Sequence, residues 1–327
     1  MKKNKLRILI ALALLSVAVV LFVNSRTPFF LQQGGPWSVG FGFSETSLPK
    51  VKTDNLFTPE MLQKDEKNTE FLADPFFVKH QDSFYIFFEH KHFTPHKANI
   101  SVLKSPDGIH YKYGGVVLDE PFHLSYPQVF EKGGKTYMVP ESAHAGAILL
   151  YESDKFPSGW KVVDTLVKGN FKDPSIYVSD TLNIMVASDD ALTLHFFKAD
   201  SLGGQWKKMG WLLKGSEARA GGRIFEHDGK LILPVQDGAR GYGSALSLYE
   251  FQFAKDEVRL EKIADDYLEA HPEIPQLSFG MHQFDIQKVG NGYYYVFDGN
   301  RVKSSRKKLS VWYAVKQSIY DFKNLFR

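Results

Sequence analysis

Ten short apolar stretches, joined in pairs by a fixed interval, dominate the pattern of hydrophobic and polar positions. The first members are DPFFV, YPQVFE, DPSIYV, GGRIFEH and QFDIQ, with Pro75, Pro127, Pro174, Gly222 and Phe284 at matching places. Fourteen residues after each of these stand Glu89, Glu141, Ser188, Gln236 and Asp298, closing SFYIFFE, KTYMVPE, TLNIMVAS, KLILPVQ and GYYYVFD. The repeats lie 52, 47, 48 and 62 residues apart (75 to 127, 127 to 174, 174 to 222, 222 to 284), so the inner interval holds while the spacing drifts. That behaviour marks one supersecondary unit copied five times.

Each pair reads as a β-hairpin. Alternating apolar and aromatic residues suit strands, and the intervening KHQD, EKGGK, VSD, EHDGK and KVGNG suit tight turns. Third runs follow in four repeats (ISVLKS, AILLYES, LTLHFFKA, SALSLYEF), and outer runs VVL, VVDTL and WLL follow the first three. Four-stranded units of this length predict an all-β, five-bladed β-propeller spanning 27–301. The fifth repeat has only two clear strands, which would leave an open edge. WSVGFGFSE (37–45) is therefore expected to close the ring as that blade's outer strand.

The two chain ends break the pattern. Residues 1–26 join MKKNKLR to ILIALALLSVAVVLFV, a targeting segment between a signal-peptide core and a full membrane span in length. The basic start favours a cytoplasmic N-terminus and an extracytoplasmic propeller. An uncleaved single-pass anchor is expected, with a secreted protein as the alternative if the segment is cleaved. Residues 302–327 are expected to form a basic amphipathic helix with Leu309, Trp312, Val315, Ile319 and Phe322 on one stripe. That stripe either docks on the propeller's side or lies on anionic lipid beside the anchor.

Composition narrows the chemistry. The chain has no cysteine, which removes disulfides, thiolate catalysis and thiolate metal sites. A net charge of +3, with no basic–aromatic stripe in the repeats, excludes nucleic acid as the expected partner. Aromatics at 14% suit packed sheets and sugar-stacking surfaces alike.

In a propeller the inner strand lines the central channel, and a hairpin sets its start beside the end of strand two. The fixed interval thus gathers ten positions at one mouth. Strand starts bring Asp74, Tyr126, Asp173, Arg219 with Arg223, and His282 with Asp285; strand ends bring Glu89, Glu141, Asp189, Gln236 with Asp237, and Asp298. Crowded carboxylates keep one another protonated, and glycosidic chemistry needs one acid and one base or nucleophile. A single Asp before Pro is an ordinary turn residue. The whole ring is read as a binding site. EHKHFTPH (89–96) has irregular spacing for zinc and reads as a solvated loop.

The run EPFHLSYPQVFEKGGKTYMVPES (120–142) resembles the N-terminal domain of plant glucosamine inositolphosphorylceramide transferases and their bacterial relatives. ADPFFV, FFEH, SPDG, DPSIY, ADSLGGQW, ARAGGRIF, PVQDGARGYG, MHQFD and FDG continue it in order from about Trp37 to Gly299. The resemblance implies a five-bladed propeller akin to arabinanases and fructosidases. In those hydrolases an Asp opening blade one is base or nucleophile, an Asp opening blade three orients, and a Glu opening blade four donates the proton. Asp74 and Asp173 fall at the first two places. Blade four opens with Ala218-Arg219-Ala220-Gly221-Gly222 and has no carboxylate there, leaving Glu141 or Glu217 as substitutes. The resemblance implies that the plant enzymes' transferase activity belongs to a separate C-terminal domain, whose Asp-x-Asp and nucleotide-sugar arrangement is not expected in these residues.

The same resemblance makes His282 similar to a channel histidine that helps hold calcium through water, so Ca²⁺ in the channel is a candidate cofactor with no protein ligand assigned. His123 is a candidate for a sugar hydroxyl.

Two readings follow. One is a membrane-tethered carbohydrate-active enzyme that cleaves or transfers a glycosyl unit of a surface polysaccharide or glycolipid. It would use Asp74, Asp173 and Glu141, with Glu89, His123, Tyr126, Arg219, Arg223, Gln236, Asp237, His282 and Asp298 binding substrate. The other is a non-catalytic glycan-binding module that presents substrate to a partner glycosyltransferase.

Overall fold

Five antiparallel sheets surround a central channel in the computed structural model, which describes residues 2–255 and 257–324. Positions 325–327 of the expected C-terminal helix lie outside the described residues.

The chain enters through an apolar helix α1 (Lys2–Arg26), strands β1 (Phe30–Ser44) and β2 (Leu56–Phe57), and a single turn α2 (Pro59–Leu62). Blade one is β3 (Thr69–His80), β4 (Ser83–His92), β5 (Ala98–Ser105) and β6 (Lys112–Leu118). Blade two is β7 (Ser125–Lys132), β8 (Lys135–Glu141), β9 (Ala147–Lys155) and β10 (Ser158–Lys168). Blade three is β11 (Lys172–Val178), β12 (Asn183–Ser188), β13 (Thr193–Ala199) and β14 (Lys207–Lys214). Blade four divides its inner strand into β15 (Arg219–Ala220) and β16 (Phe225–His227), followed by β17 (Lys230–Asp237), β18 (Ala245–Phe253) and β19 (Val258–Glu269). Blade five begins with β20 (Phe284–Val289) and β21 (Gly292–Leu309), and helix α3 (Val311–Asn324) ends the described chain.

The predicted hairpins form with the expected turns. Gly133 and Gly134, at φ 60° and 75°, and Asp228 with Gly229, at 48° and 75°, supply the paired left-handed residues that two-residue hairpins require. Blade five is completed by the N-terminal strand, but in third place: its order is β2-β1-β21-β20, and β2 takes the outer edge. β1 has no other course, because β21 is long and its outer side would otherwise be unpaired from Tyr293 to Leu309.

The blades meet through apolar faces. Phe77, Phe84 and Tyr294 pack between blades one and five, with Phe77 and Tyr294 centroids 4.5 Å apart. Ile148, Leu150, Ile176, Met185 and Phe197 fill the seam between blades two and three. Polar side chains bridge the inner strands beside the channel. Gln128 donates to Ile176 O at 2.7 Å and accepts from Ile176 N at 2.9 Å.

The C-terminal segment departs from expectation in two ways. The strand β21 continues across the expected boundary at 301/302, because VKSSRKKL pairs with the start of β1 (Leu309 opposite Phe30, Ser304 opposite Gln33). Most of the basic residues therefore lie on a strand. The helix is docked on the propeller, but through Tyr313, Ala314, Gln317 and Asp321, whose hydroxyl and carboxylate find backbone partners there. Trp312, Ile319 and Phe322, from the expected docking stripe, are exposed.

Candidate functional site

The strands that line the channel share one local device. Asp74, Tyr126 and Asp173 occupy matching places at φ 51°, 51° and 47°, each just before a proline. The ladder skips at all three: between Ala73 and Phe76, Ser125 and Gln128, and Lys172 and Ser175. A proline has no N–H to lose to the interruption, and a bulge re-aims the side chain before it. Left-handed non-glycine residues cost free energy and persist only where the surroundings enforce them. In blade four the matching residues are Gly221 and Gly222. Gly221 stands where the other blades carry Asp74 and Asp173; a Cβ there would lie 2.7 Å from His282 O, and Phe284 N donates to Gly221 O at 2.7 Å. Blade five's inner strand passes too close for an acid in that position.

Arg219 takes the place instead. Its Nε bonds Asp173 Oδ2, and its other nitrogen reaches Asp173 Oδ1 at 3.1 Å and Glu141 Oε2 at 3.4 Å. Gln236 Nε2 donates to Asp173 Oδ2 at 2.9 Å, and Asp173 N donates to Glu141 Oε2 at 3.2 Å. On the opposite wall Asp298 receives Asp74 N at 3.0 Å, Gln283 N at 3.0 Å and His282 Nδ1 at 2.9 Å. His282 Nε2 lies 3.7 Å from Asp74 Oδ1. Glu89 faces His123 Nε2 at 3.4 Å.

Burial separates the protonation states of these groups. Burial pushes Asp173 up, but the paired Arg219 guanidinium outweighs it and holds the carboxyl below its usual range. Burial, then the charge of Asp173, raises Glu141 well above the ordinary value. Burial, then Asp74 and Glu141, does the same to Glu89. Asp74 is raised to about 7 by burial, against the opposing pull of His282. Burial works against charge on His282, yet Asp298 outweighs it and lifts the imidazole above its usual value. Burial, then Lys91, lowers His123 to about 4.

The structure therefore brings Asp74, Glu89, Glu141, Asp173, Arg219, Gln236, His282 and Asp298 to one mouth, with His123 at its edge. Tyr126 and Arg223 lie deeper. The Tyr126 hydroxyl bonds Ser175 Oγ at 2.7 Å and receives Gly222 N at 2.5 Å. Arg223 Nε donates to Asp285 Oδ1 at 2.7 Å, and its terminal nitrogen to Val129 O at 2.8 Å. Asp237 stands apart, accepting from Ala239 N at 2.8 Å and raised by burial to about 6. Asp189 pairs with His195 Nε2 at 2.7 Å, away from the ring.

Two aromatics complete the mouth and were not singled out in the sequence. Trp37 stacks on His282 with centroids 3.9 Å apart, and Tyr242 bonds His282 Nε2 at 3.2 Å while covering the Arg219 guanidinium. Tyr242 sits between glycines in ARGYG, and an aromatic raised on so open a loop is the signal by which the sequence could have revealed it.

Asp74, His282 and Asp298 converge closely enough to suggest a cation. Asp298 is already committed to four N–H groups, and His282 to Asp298 and Tyr242. That leaves calcium one uncommitted carboxylate, far short of the six to eight oxygens it takes. The described residues do not fit a directly liganded calcium.

A sequence model described as glucosamine inositolphosphorylceramide transferase 1, N-terminal, matches residues 44–300. The chain belongs to that family. Glucosamine inositolphosphorylceramide transferase 1 of Arabidopsis thaliana is 30% identical over 302 residues, 83% of this chain and 40% of the plant protein. Its namesake in Oryza sativa subsp. japonica is 31% identical over 252 residues, 72% of this chain and 34% of the relative. This chain thus spans well under half the length of these relatives. Among solved structures, a thermostable family-43 glycoside hydrolase superposes with a TM-score of 0.52 at 13% identity, covering 72% of this chain and 94% of that one. A Bacillus subtilis arabinanase gives 0.51 at 16%, over 69% and 94%. A Bombyx mori β-fructofuranosidase gives 0.52 at 13%, over 71% and 56%. At these identities the likeness establishes the shared five-bladed fold.

Proposed function

We propose that the protein is a membrane-tethered, carbohydrate-active propeller that cleaves or transfers a glycosyl unit of a glycolipid or surface polysaccharide. The observation that carries this is the divided protonation of four buried carboxyls at one mouth. Asp173 is held ionised by Arg219, Glu89 and Glu141 are held protonated, and Asp74 titrates near neutrality. Carboxyls whose environments drive their protonation apart are what acid and base roles require. Asp74 serves as base or nucleophile and Asp173 as orienter. Glu141 Oε2 already receives Asp173 N and Arg219, so Glu89, which has only the 3.4 Å approach of His123 Nε2 as an ion-pair contact, is the better placed proton donor. The donor gives its proton to the leaving oxygen while Asp74 activates water or the acceptor hydroxyl, or attacks the anomeric carbon. The family relatives, named for transfer to a sphingolipid, support a glycolipid among the substrates.

The tether is α1. Asn4–Ser25 gives 22 residues of mean hydropathy 2.9, long enough to cross a bilayer. Its basic N-terminal flank would stay in the cytoplasm and place the propeller outside.

The second reading is a glycan-binding module that serves a partner glycosyltransferase. It is favoured by Arg219 standing where the related hydrolases carry their proton donor and neutralising Asp173. One experiment separates the two. Full-length protein in lipid nanodiscs is incubated with oligosaccharide and glycolipid panels, and binding and product are both followed. Turnover lost in Asp74→Asn with binding retained supports the enzyme, with a rate that rises as Asp74 ionises around pH 7. Tight binding without product, unchanged in Asp74→Asn and Glu89→Gln, establishes the module.

A further inference from the structure

Both ends of the chain leave the propeller on the side of the mouth. β21 reaches the mouth at Asp298 and then continues for eleven residues (298 to 309) to Leu309, about 36 Å of strand. β1 starts opposite its tip, at Phe30, and arrives at the mouth where Val39 pairs with Asp298. This two-stranded ribbon carries α1 on one strand and α3 on the other, tied at the tip by Ser310 N donating to Phe29 O at 2.7 Å.

From the tip α3 folds back over loops that border the site. The Tyr313 hydroxyl donates to Gly238 O, and Asp321 accepts from Ser216 N at 2.6 Å and Ser216 Oγ at 2.9 Å. Gly238 follows Gln236 and Asp237; Ser216 leads into Arg219. A groove of about 310 Å³, lined by Leu31, Trp37, Tyr242, Phe279 and Tyr313, runs between the ribbon and the mouth.

The face of α3 turned away from these contacts carries large apolar side chains, with Lys316 between Trp312 and Ile319. Trp312 is 76% exposed and Ile319 48%, with Leu309 and Phe30 exposed at the root. Arg306, Lys307 and Lys308, all exposed, rim this patch on the ribbon. Soluble surfaces seldom leave such patches contiguous. A largely apolar helix face with a tryptophan, a basic rim and an adjoining 22-residue apolar helix matches the chemistry of an anionic bilayer surface.

We propose that α1, the ribbon and α3 form one membrane-docking unit that lays Trp312 and Ile319 into the headgroup region and holds the mouth at the lipid surface. The tether is the one argued above; the new element is the docking of α3 and the orientation it gives the channel. Substrate would then enter from lipid-borne glycans beside the groove, and soluble chains would have to reach round to the membrane side.

The absence of cysteine makes the test direct. Single variants Leu14→Cys, Trp312→Cys, Ile319→Cys and Asp180→Cys carry a nitroxide on the full chain in phosphatidylcholine–phosphatidylglycerol vesicles. Asp180, in the turn between β11 and β12 at the far end of the channel, is the aqueous control. At 312 and 319 the ratio of oxygen to nickel-chelate collisions should exceed that at 180 several-fold. Substituting Arg306, Lys307 and Lys308 together by Gln should lower it at 319. Labels at 312 and 319 as wet as at 180 overturn the docking. A wet label at 14 overturns the tether alone, since the α3 labels are read independently. An unchanged ratio in the triple variant overturns the part assigned to anionic lipid.

Discussion

Two layers of buried polar groups share the channel, and they are built on opposite principles. In the lower layer every charge has its partner: Arg223 and Asp285 pair at 2.7 Å, Asp285 Oδ2 also receives Phe77 N at 2.7 Å, and Tyr126 bridges Ser175 and Gly222. In the upper layer carboxyls outnumber cations, and Asp74, Glu89 and Glu141 are all pushed toward their protonated forms. The lower layer fastens blades to one another. The upper layer gives up stability to bury carboxyls of divided protonation, as the proposed acid and base roles require. Polar burial alone therefore does not mark a site; unresolved charge does.

Breaking the lower layer should produce the largest effect. Asp285→Ala leaves Arg223 buried without its counter-charge and is expected to cost about 3–5 kcal/mol in denaturant unfolding. Replacing both, as Asp285→Leu with Arg223→Met, should cost much less, because no orphaned charge remains. A double variant as damaged as the single would show that packing, rather than the charge pair, fastens the blades.

The upper layer predicts the opposite sign. The folded state raises Asp74 from 3.8 to about 7, so folding favours its protonated form. Its penalty is absent below the unfolded value, grows as pH rises between about 4 and 7, and stays constant above. Asp74→Asn should thus stabilise the protein by ~1–3 kcal/mol at pH 8 and by little at pH 4. Asp173 runs the other way, since Arg219 depresses it: its contribution is present above its unfolded value and lost as pH falls through the folded one. Thermal melts of Asp74→Asn across this range check the sign. A variant less stable at pH 8 than the parent would mean that Asp74 is a structural carboxylate.

Much of this was legible from one interval. The offset from Pro75 to Glu89 and its four copies fixed both the hairpins and the ends of the strands that meet at the mouth, because hairpin register is local. Depth was not legible. Asp74 and Tyr126 occupy the same place in their blades, yet the longer tyrosine reaches across the channel to Gly222 while the short aspartate stays at the mouth. Arg223 likewise points down to Asp285, four residues on from Arg219, which points up to Asp173. The place of β1 depended on a pairing some 260 residues away in sequence, and the docked face of α3 on hydroxyl and carboxylate bonds that hydrophobic periodicity does not register.

The smallest expected change in stability gives the sharpest division between the layers. Tyr126→Phe and Tyr242→Phe remove the same atom from the two. The Tyr126 hydroxyl is buried and bonded to Ser175, Gly222 N and Gly222 O, so its loss should cost ~1–3 kcal/mol and leave glycan binding unaltered. Tyr242 is half-exposed as a residue, and its hydroxyl makes one bond, to His282, against three for Tyr126, so its loss should cost about 0.5–1 kcal/mol, less than the Tyr126 change. It should nevertheless weaken glycan binding, because the ring and hydroxyl frame the mouth above Arg219. Titration calorimetry beside denaturant unfolding on the two variants reads both quantities. If Tyr242→Phe lowers stability as much as Tyr126→Phe and leaves binding intact, its loop belongs with the fastening layer, and the glycan must enter past Glu89 and His123.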